Sequence, residues 1–349
     1  LKAKILSSLI GGALGDALGY SREFVRTNDI LNFLPGRDWQ TADFNNAPHP
    51  KRYRDADGKV IISDDTQMTI ATGRALLASG PNPAPTFAAS FADNLSRAYV
   101  TWSQHPDNTR APGNACMRAC DLLNDGYAWQ DATDIATMGC GANMRVAPIA
   151  LLQDPGAGSL IELAYLSSVM THAHPAALAS TALTVTAITA AYDGMEGMEI
   201  LDFLIEQALS DHLRRHYPYK VLGELWEQSE YGSSKAYLSA GYDLCAKYLM
   251  EAQNAIRRGW AGDSDPCEVT GEGWTAPEAL AGAMLCVAGL WDKPVQVLQR
   301  AAVSNGDSDS LAAIAGNIRG AAGVEWPTEW TDQLETGPVQ ELHKIAEGL

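Results

Sequence analysis

Four glycines in the first apolar stretch, Gly11, Gly12, Gly15 and Gly19, constrain this chain more than any other feature. Around them Ile5, Leu6, Leu9, Ile10, Ala13, Leu14, Ala17 and Leu18 recur with helical period. A glycine inside a helix costs about 1 kcal/mol relative to alanine. Four such losses in one helix make sense where another backbone, or a ligand, must come close. The same stretch opens with two lysines and carries Asp16, so it reads neither as a membrane-spanning helix nor as a signal peptide.

The rest of the sequence is helical nearly throughout. Apolar periodicity predicts helices at about 65–79, 86–102, 113–125, 160–170, 175–193, 198–213, 236–258, 276–290, 294–304 and 308–322. Only 59–62 carries a strand signal. The segment 35–58 is polar, rich in Pro and Asn and without helical period; a loop of that length is functional, mobile or a surface insertion. No repeat and no compositional break divides the chain, so residues 1–349 read as one all-α domain.

Hydrophobic residues make up 46% of the chain, enough for a large core. The net charge of −17 repels nucleic acid and anionic lipid, and no basic run offsets it. Nucleic acid and membranes are therefore not expected partners. Six cysteines show no C-x-x-C spacing, which fits a reduced, cytoplasmic compartment. Cys116 and Cys120, one helical turn apart, read as small core residues.

Two acidic runs stand at the heads of apolar, Ala-rich helices near opposite ends of the chain: Ser63-Asp64-Asp65-Thr66 and Gly306-Asp307-Ser308-Asp309-Ser310. Each alone is equally well an N-cap with acidic first-turn residues, stabilised by the helix dipole. If folding joins them, four carboxylates and two hydroxyls face one point and repel each other unless cations intervene. Such hard oxygen donors suit Mg²⁺, Mn²⁺ or Ca²⁺ rather than zinc. A third run, Gly262-Asp263-Ser264-Asp265-Pro266, has similar spacing, but Pro follows at once and it reads as an acidic surface turn.

These pieces, taken in order, resemble the ADP-ribosylglycohydrolases, which include the ADP-ribosylarginine hydrolases and the dinitrogenase reductase-activating glycohydrolases. The resemblance begins with Gly11-Gly12-Ala13-Leu14-Gly15-Asp16-Ala17-Leu18-Gly19 and Glu23-Phe24, and passes through Ser63-Asp64-Asp65-Thr66-Gln67. It continues with Arg110-Ala111-Pro112-Gly113-Asn114 and with Gly139-Cys140-Gly141-Ala142-Asn143-Met144-Arg145. Thr171-His172, Gly271-Glu272-Gly273-Trp274 and Gly306-Asp307-Ser308-Asp309-Ser310 complete it.

The resemblance implies a roughly orthogonal all-α bundle and a dinuclear Mg²⁺ (or Mn²⁺) centre held by Ser63, Asp64, Asp65, Asp307, Asp309 and Ser310. It implies Glu23 near the metals, and substrate contacts from Pro112, Gly113, Asn114, Gly139, Gly141, Asn143, Met144, Arg145, His172 and Trp274. The implied reaction cleaves the glycosidic bond between ADP-ribose and a protein side chain, arginine foremost. The partner is then an ADP-ribosylated protein. An alternative is an immunity protein that occludes an ADP-ribosyltransferase toxin.

Read from the residues, the roles divide less sharply. Glu23, Asp64 and Asp65 are each able to move the proton in such a reaction. Gly113, Gly139 and Gly141 bring backbone amides to phosphate or serve as turn glycines. Asn143 binds ribose or phosphate, or closes an Asx turn. Arg145 pairs with phosphate or with a core carbonyl. His172 and Trp274 line the pocket or anchor the core.

Overall fold

The computed structural model describes residues 1–80, 87–153 and 159–349. Helices succeed one another along the chain, and the described residues contain isolated β-bridges but no strand.

The Lys2–Tyr20 helix runs through the interior, with every residue from Ser7 to Gly19 buried. Its glycines meet a second buried helix, Ser308–Ala321. A Cβ on Gly15 would stand 2.0 Å from the Ala312 carbonyl oxygen, and one on Gly19 2.3 Å from that of Ser308. From the other side, Gly316 and Gly320 would clash in the same way with the carbonyls of Gly11 and Ser7. The contacts 7 with 320, 11 with 316, 15 with 312 and 19 with 308 define an antiparallel pair in backbone contact. A ridge of residues four apart on each helix fits the groove of the other. The close approach expected from the glycines is therefore made by backbone.

The Pro175–Tyr192 and Ala276–Gly289 helices are likewise apolar all round and almost fully buried. Among the described residues only Pro175–Tyr192 is long and apolar enough to cross a membrane, and 83% of it is buried inside the fold. Outer helices are one-sided: Phe87–Ser103 buries Phe87, Phe91, Leu95, Tyr99 and Trp102.

Several expectations are corrected. The 59–62 segment pairs only through Val60, with Arg54 and Leu334, because no strand lies beside it. The helix expected over 198–213 stops at Leu209; Ser210 turns out of it and caps a short helix, Asp211–Arg215. A terminal helix, Thr336–Gly348, was not expected, although Leu342, Ile345 and Ala346 bury one face of it. The helix expected from 86 is seen from Phe87; position 86 lies outside the described residues.

The polar 35–58 segment is folded down rather than projecting. Ala42, Phe44 and Ala47 are buried. The fully buried Arg22 donates to the carbonyls of Asp43, at 2.7 Å, and Asn46, at 3.0 Å. The 262–266 run is also more than a surface turn: Asp265 is buried, accepting from the Thr27 hydroxyl and from the Cys267 amide at 2.9 Å.

Candidate metal centre

The antiparallel pair decides where the site lies. Where Lys2–Tyr20 ends, Ser308–Ala321 begins, so Glu23 emerges beside Asp307 and Asp309. Carboxylate oxygens of these three residues lie within 4.8 Å of one another. Asp307 is the N-cap of its helix, accepting from the Ser310 amide at 3.3 Å. The Ser308 hydroxyl donates to the Gly19 carbonyl at 3.0 Å and ties the two helix ends together.

The same first helix places the other acidic run. Asp16, fully buried, accepts from the Ser63 amide at 2.9 Å and from the Thr66 amide at 3.0 Å. It also accepts from the Thr66 hydroxyl. These bonds satisfy free amides at the head of the Asp64–Ala78 helix, where a carboxylate also meets the positive end of the dipole. Ser63, Asp64, Asp65, Asp307, Asp309 and Ser310 are all buried, and Glu23 stands at the edge of burial.

Charge is concentrated here without compensation. Burial, then the charges of Asp307, Asp64 and Asp16, push the Glu23 carboxyl up to about 9. Burial first, with neighbouring carboxylates second, raises Asp64, Asp65 and Asp309 well above the usual range. Asp65 Oδ1 is buried with no hydrogen-bond partner at all. A buried carboxylate oxygen left bare among like charges is costly unless a cation fills the space. The donors are oxygens of carboxylates and hydroxyls, so the residues present fit a hard divalent ion.

Three chain segments form the walls. The Gly113 amide faces Asp64 Oδ2 at 3.4 Å, at the head of the Asn114–Asn124 helix. Gly139 and Gly141 lie over the His172 ring; a Cβ on Gly139 would stand 3.1 Å from His172 Nε2. The Glu272 carbonyl accepts from the Asp307 amide at 2.8 Å, and that of Trp274 accepts from the Cys140 amide at 3.1 Å. At the rim Trp274 stacks on Phe24, centroids 5.5 Å apart and planes 15° from parallel. Phe24 is 75% exposed and holds a left-handed backbone, φ 62°, uncommon for an aromatic residue.

The family model for ADP-ribosylglycohydrolase matches residues 1–349. The chain belongs to the ADP-ribosylglycohydrolase family. An uncharacterised protein of Archaeoglobus fulgidus is 25% identical over 96% of this chain and 92% of its own length. Escherichia coli YegU, also uncharacterised, is 26% identical over 91% of this chain and 87% of its own. ADP-ribosylarginine hydrolase Tri1 of Pseudomonas putida is 29% identical over 42% of this chain and 35% of its own. A solved structure, "ADP-ribosylglycohydrolase-related protein complex", superposes with a TM-score of 0.62 at 20% identity, covering 99% of this chain and 96% of that one. The all-α fold expected from the resemblance is thus present, and the chain is a glycohydrolase of ADP-ribose linkages.

Two residues of the resemblance are bonded into the interior of this ADP-ribosylglycohydrolase. Asn143 is buried and donates its amide to Ser180, Thr184 and the Ala276 carbonyl, joining two interior helices. Arg145 is fully buried, bonded to the Ser167 carbonyl at 2.6 Å and the Thr171 hydroxyl at 2.8 Å, over the Tyr99 ring. Arg145 thus takes the core-carbonyl role that the sequence left open, and Asn143 takes a scaffold role in place of the expected Asx turn, with Asn143 Oδ1 and Arg145 Nε left without a partner. Met144 is buried too, with its sulfur 3.8 Å from the Ser310 hydroxyl. His172 is buried beside Thr171, and burial together with Arg145 pushes it down to about 3, so it stays neutral.

Two residues beside the acidic cluster were not singled out from the sequence. Asp16, a single acid inside an apolar helix, gave no signal beyond its place in the glycine run. Cys140 places its sulfur 2.6 Å from Asp307 Oδ2; it entered only as one residue of the segment 139–145.

Proposed function

We propose that this glycohydrolase is Mg²⁺-dependent, with Mn²⁺ as a substitute, and releases ADP-ribose from arginine side chains of modified proteins. The observation that carries the reading is the meeting of two distant acidic helix heads around the bare Asp65 Oδ1. Ser63, Asp64, Asp65, Asp307, Asp309 and Ser310 would hold two ions, which nearly balance the five carboxylates counted with Glu23. When bound, such ions supply Lewis-acid charge to ribose hydroxyls and to water.

The chain's own groups do the rest. The transition state is oxocarbenium-like, and the departing guanidine has to gain a proton. Glu23 stands between the acidic cluster and the exposed aromatic pair, where it can hold that proton and pass it on. The amides at Gly113, Gly139 and Gly141 line the path for the diphosphate. Asp16 holds the first turn of Asp64–Ala78 in register. The Phe24–Trp274 faces offer a guanidinium a cation–π platform, which favours arginine over a neutral linkage. Likeness to ADP-ribosylarginine hydrolase Tri1 supports the same choice.

The test is incubation with arginine-, serine- and thymidine-linked ADP-ribose, each with and without chelator. Release from the arginine linkage, abolished by chelator and restored by Mg²⁺, is the expected result. Release from serine or thymidine alone would sink the arginine assignment, and activity indifferent to chelator would sink the metal.

A further inference from the structure

The third acidic run, 262–266, borders a cavity that the proposed hydrolysis does not use. The cavity, about 520 Å³, lies between this run, the Thr27–Leu31 helix, the segment 37–39 and Arg300. That volume is ordinary for a small-molecule pocket. Its wall holds two buried charged side chains of opposite sign, Asp265, 7% exposed, and Arg300, 3% exposed. Among the described residues neither makes an ion pair, with the other or with any third group. Arg300 donates to the carbonyls of Gly262, at 3.4 Å, and Val303, and lies over the Trp39 ring at 5.2 Å. Its Nε has no partner. A guanidinium offers five N–H donors, so Arg300 keeps donors to spare. A buried charge without its counter-charge is costly, and here two of them face one cavity.

A ligand that carries both signs meets both needs. A lone anion would face Asp265, and a lone cation would face Arg300. The mouth adds a bias toward positive charge. Exposed Asp38, Asp263 and Glu268 outnumber Arg37 there, so with the buried pair the lining carries four carboxylates against two guanidinium groups. We propose that this cavity is a second binding site, for a free basic amino acid such as arginine. The ligand carboxylate lies against Arg300, its α-ammonium against Asp265, and its cationic side chain toward the acidic mouth. Asp265 already accepts from the Thr27 hydroxyl and the Cys267 amide, and a carboxylate has lone pairs left for an ammonium. The site stands behind the acidic centre. Thr27 and Asn305 line it, the Thr27 amide donating to Asn305 Oδ1 at 2.8 Å, and Asn305 is two residues from Asp307. The inference does not rest on the proposed hydrolysis.

The experiment is a calorimetric titration of the full chain, in saturating Mg²⁺, with three compounds: L-arginine, agmatine, which lacks the carboxylate, and Nα-acetylarginine, which lacks the ammonium. L-Arginine should bind, and each analogue should bind about tenfold more weakly or worse, because each leaves one buried charge unmet. The double variant Asp263→Asn, Glu268→Gln, at the exposed mouth, should weaken arginine severalfold. Trp274→Ala, at the rim of the acidic centre, should leave its affinity unchanged. No binding of arginine at millimolar concentration, equal affinity for the three compounds, undiminished binding in the mouth variant, or loss of binding in Trp274→Ala would overturn the proposal. Arg300→Lys keeps the charge but loses the planar fork, and should weaken arginine about tenfold. If that variant does not fold, the analogue series on the wild-type chain decides the point. No ADP-ribosylated substrate enters the titration. A chain that binds arginine in this pattern but cleaves no linkage would sink the hydrolase reading and leave this one standing.

Discussion

Gly306-Asp307-Ser308-Asp309-Ser310 and Gly262-Asp263-Ser264-Asp265-Pro266 have nearly the same spelling and opposite fates. The first heads a fourteen-residue buried helix. The second, stopped by Pro266, leads into a helix of four residues, Cys267–Thr270. The deeper difference is what each run meets. Asp309 is pressed against Gly19, accepts from the Ser310 amide at 3.2 Å, and has Glu23 and Asp65 as charged neighbours. Asp265 meets donors, the Thr27 hydroxyl and the Cys267 amide, and is satisfied by the protein itself. An acidic run becomes a candidate cation site when the fold crowds it with other carboxylates, whatever its spacing.

That contrast can be broken or sharpened by experiment. The largest effect is expected on activity. Asp309→Ala or Asp307→Ala should lower the rate of ADP-ribose release on the order of 10³-fold or more. Asp263→Ala, at an exposed position, should leave it within about twofold. Comparable losses at both runs would erase the distinction.

Next comes the helix pair that brings the carboxylates together. Gly15→Val forces a side chain into the Ala312 carbonyl and should cost about 3 kcal/mol or more of stability, read by denaturant unfolding. A melt unchanged by that substitution would mean the two backbones do not touch.

Metal removal should then expose the repulsion. Glu23, raised to about 9, and the raised Asp64, Asp65 and Asp309 bind protons more tightly folded than unfolded. Stability from such groups is full below their unfolded values and is lost as pH climbs through the folded ones. His172, held near 3 when folded, opposes this only below its ordinary value of about 6.5. Between about pH 6.5 and 9 the chelated protein should therefore melt progressively lower. Mg²⁺ at a hundred times its dissociation constant should return about 2.7 kcal/mol. A pH-flat melt without metal would contradict the crowding.

The smallest effect belongs to the satisfied run. Asp265→Ala removes the acceptor of the Cys267 amide and the Thr27 hydroxyl and should cost about 1 kcal/mol while leaving turnover intact. A large loss of turnover there would assign the second run to the site after all.

How far the sequence could be read follows from the same physics. Helices announce themselves through apolar period, so Asp64–Ala78 was legible to within a residue and the first helix was recognised from Ile5 to Leu18, inside its observed span Lys2–Tyr20. The glycine spacing announced a close approach without naming the partner, since Gly316 and Gly320 lie near the other end of the chain. Burial direction is different. Asn143 and Arg145 sit in a stretch shared with the family, yet the turn at Cys140–Ala142 sends both inward. Nothing local distinguishes that from a turn the other way. Asp16 was opaque for the converse reason: its partners, Ser63 and Thr66, are set by tertiary contact and not by neighbours in sequence.

The antiparallel clasp between the first helix and Ser308–Ala321 also has a consequence in time. Every carboxylate supplied by the early part of the chain waits for a helix synthesised long after it. During translation the emerging polypeptide would have no complete cation cradle, and long loops must close before one forms. Catalytic competence in this molecule would arrive all at once, when the two helices meet.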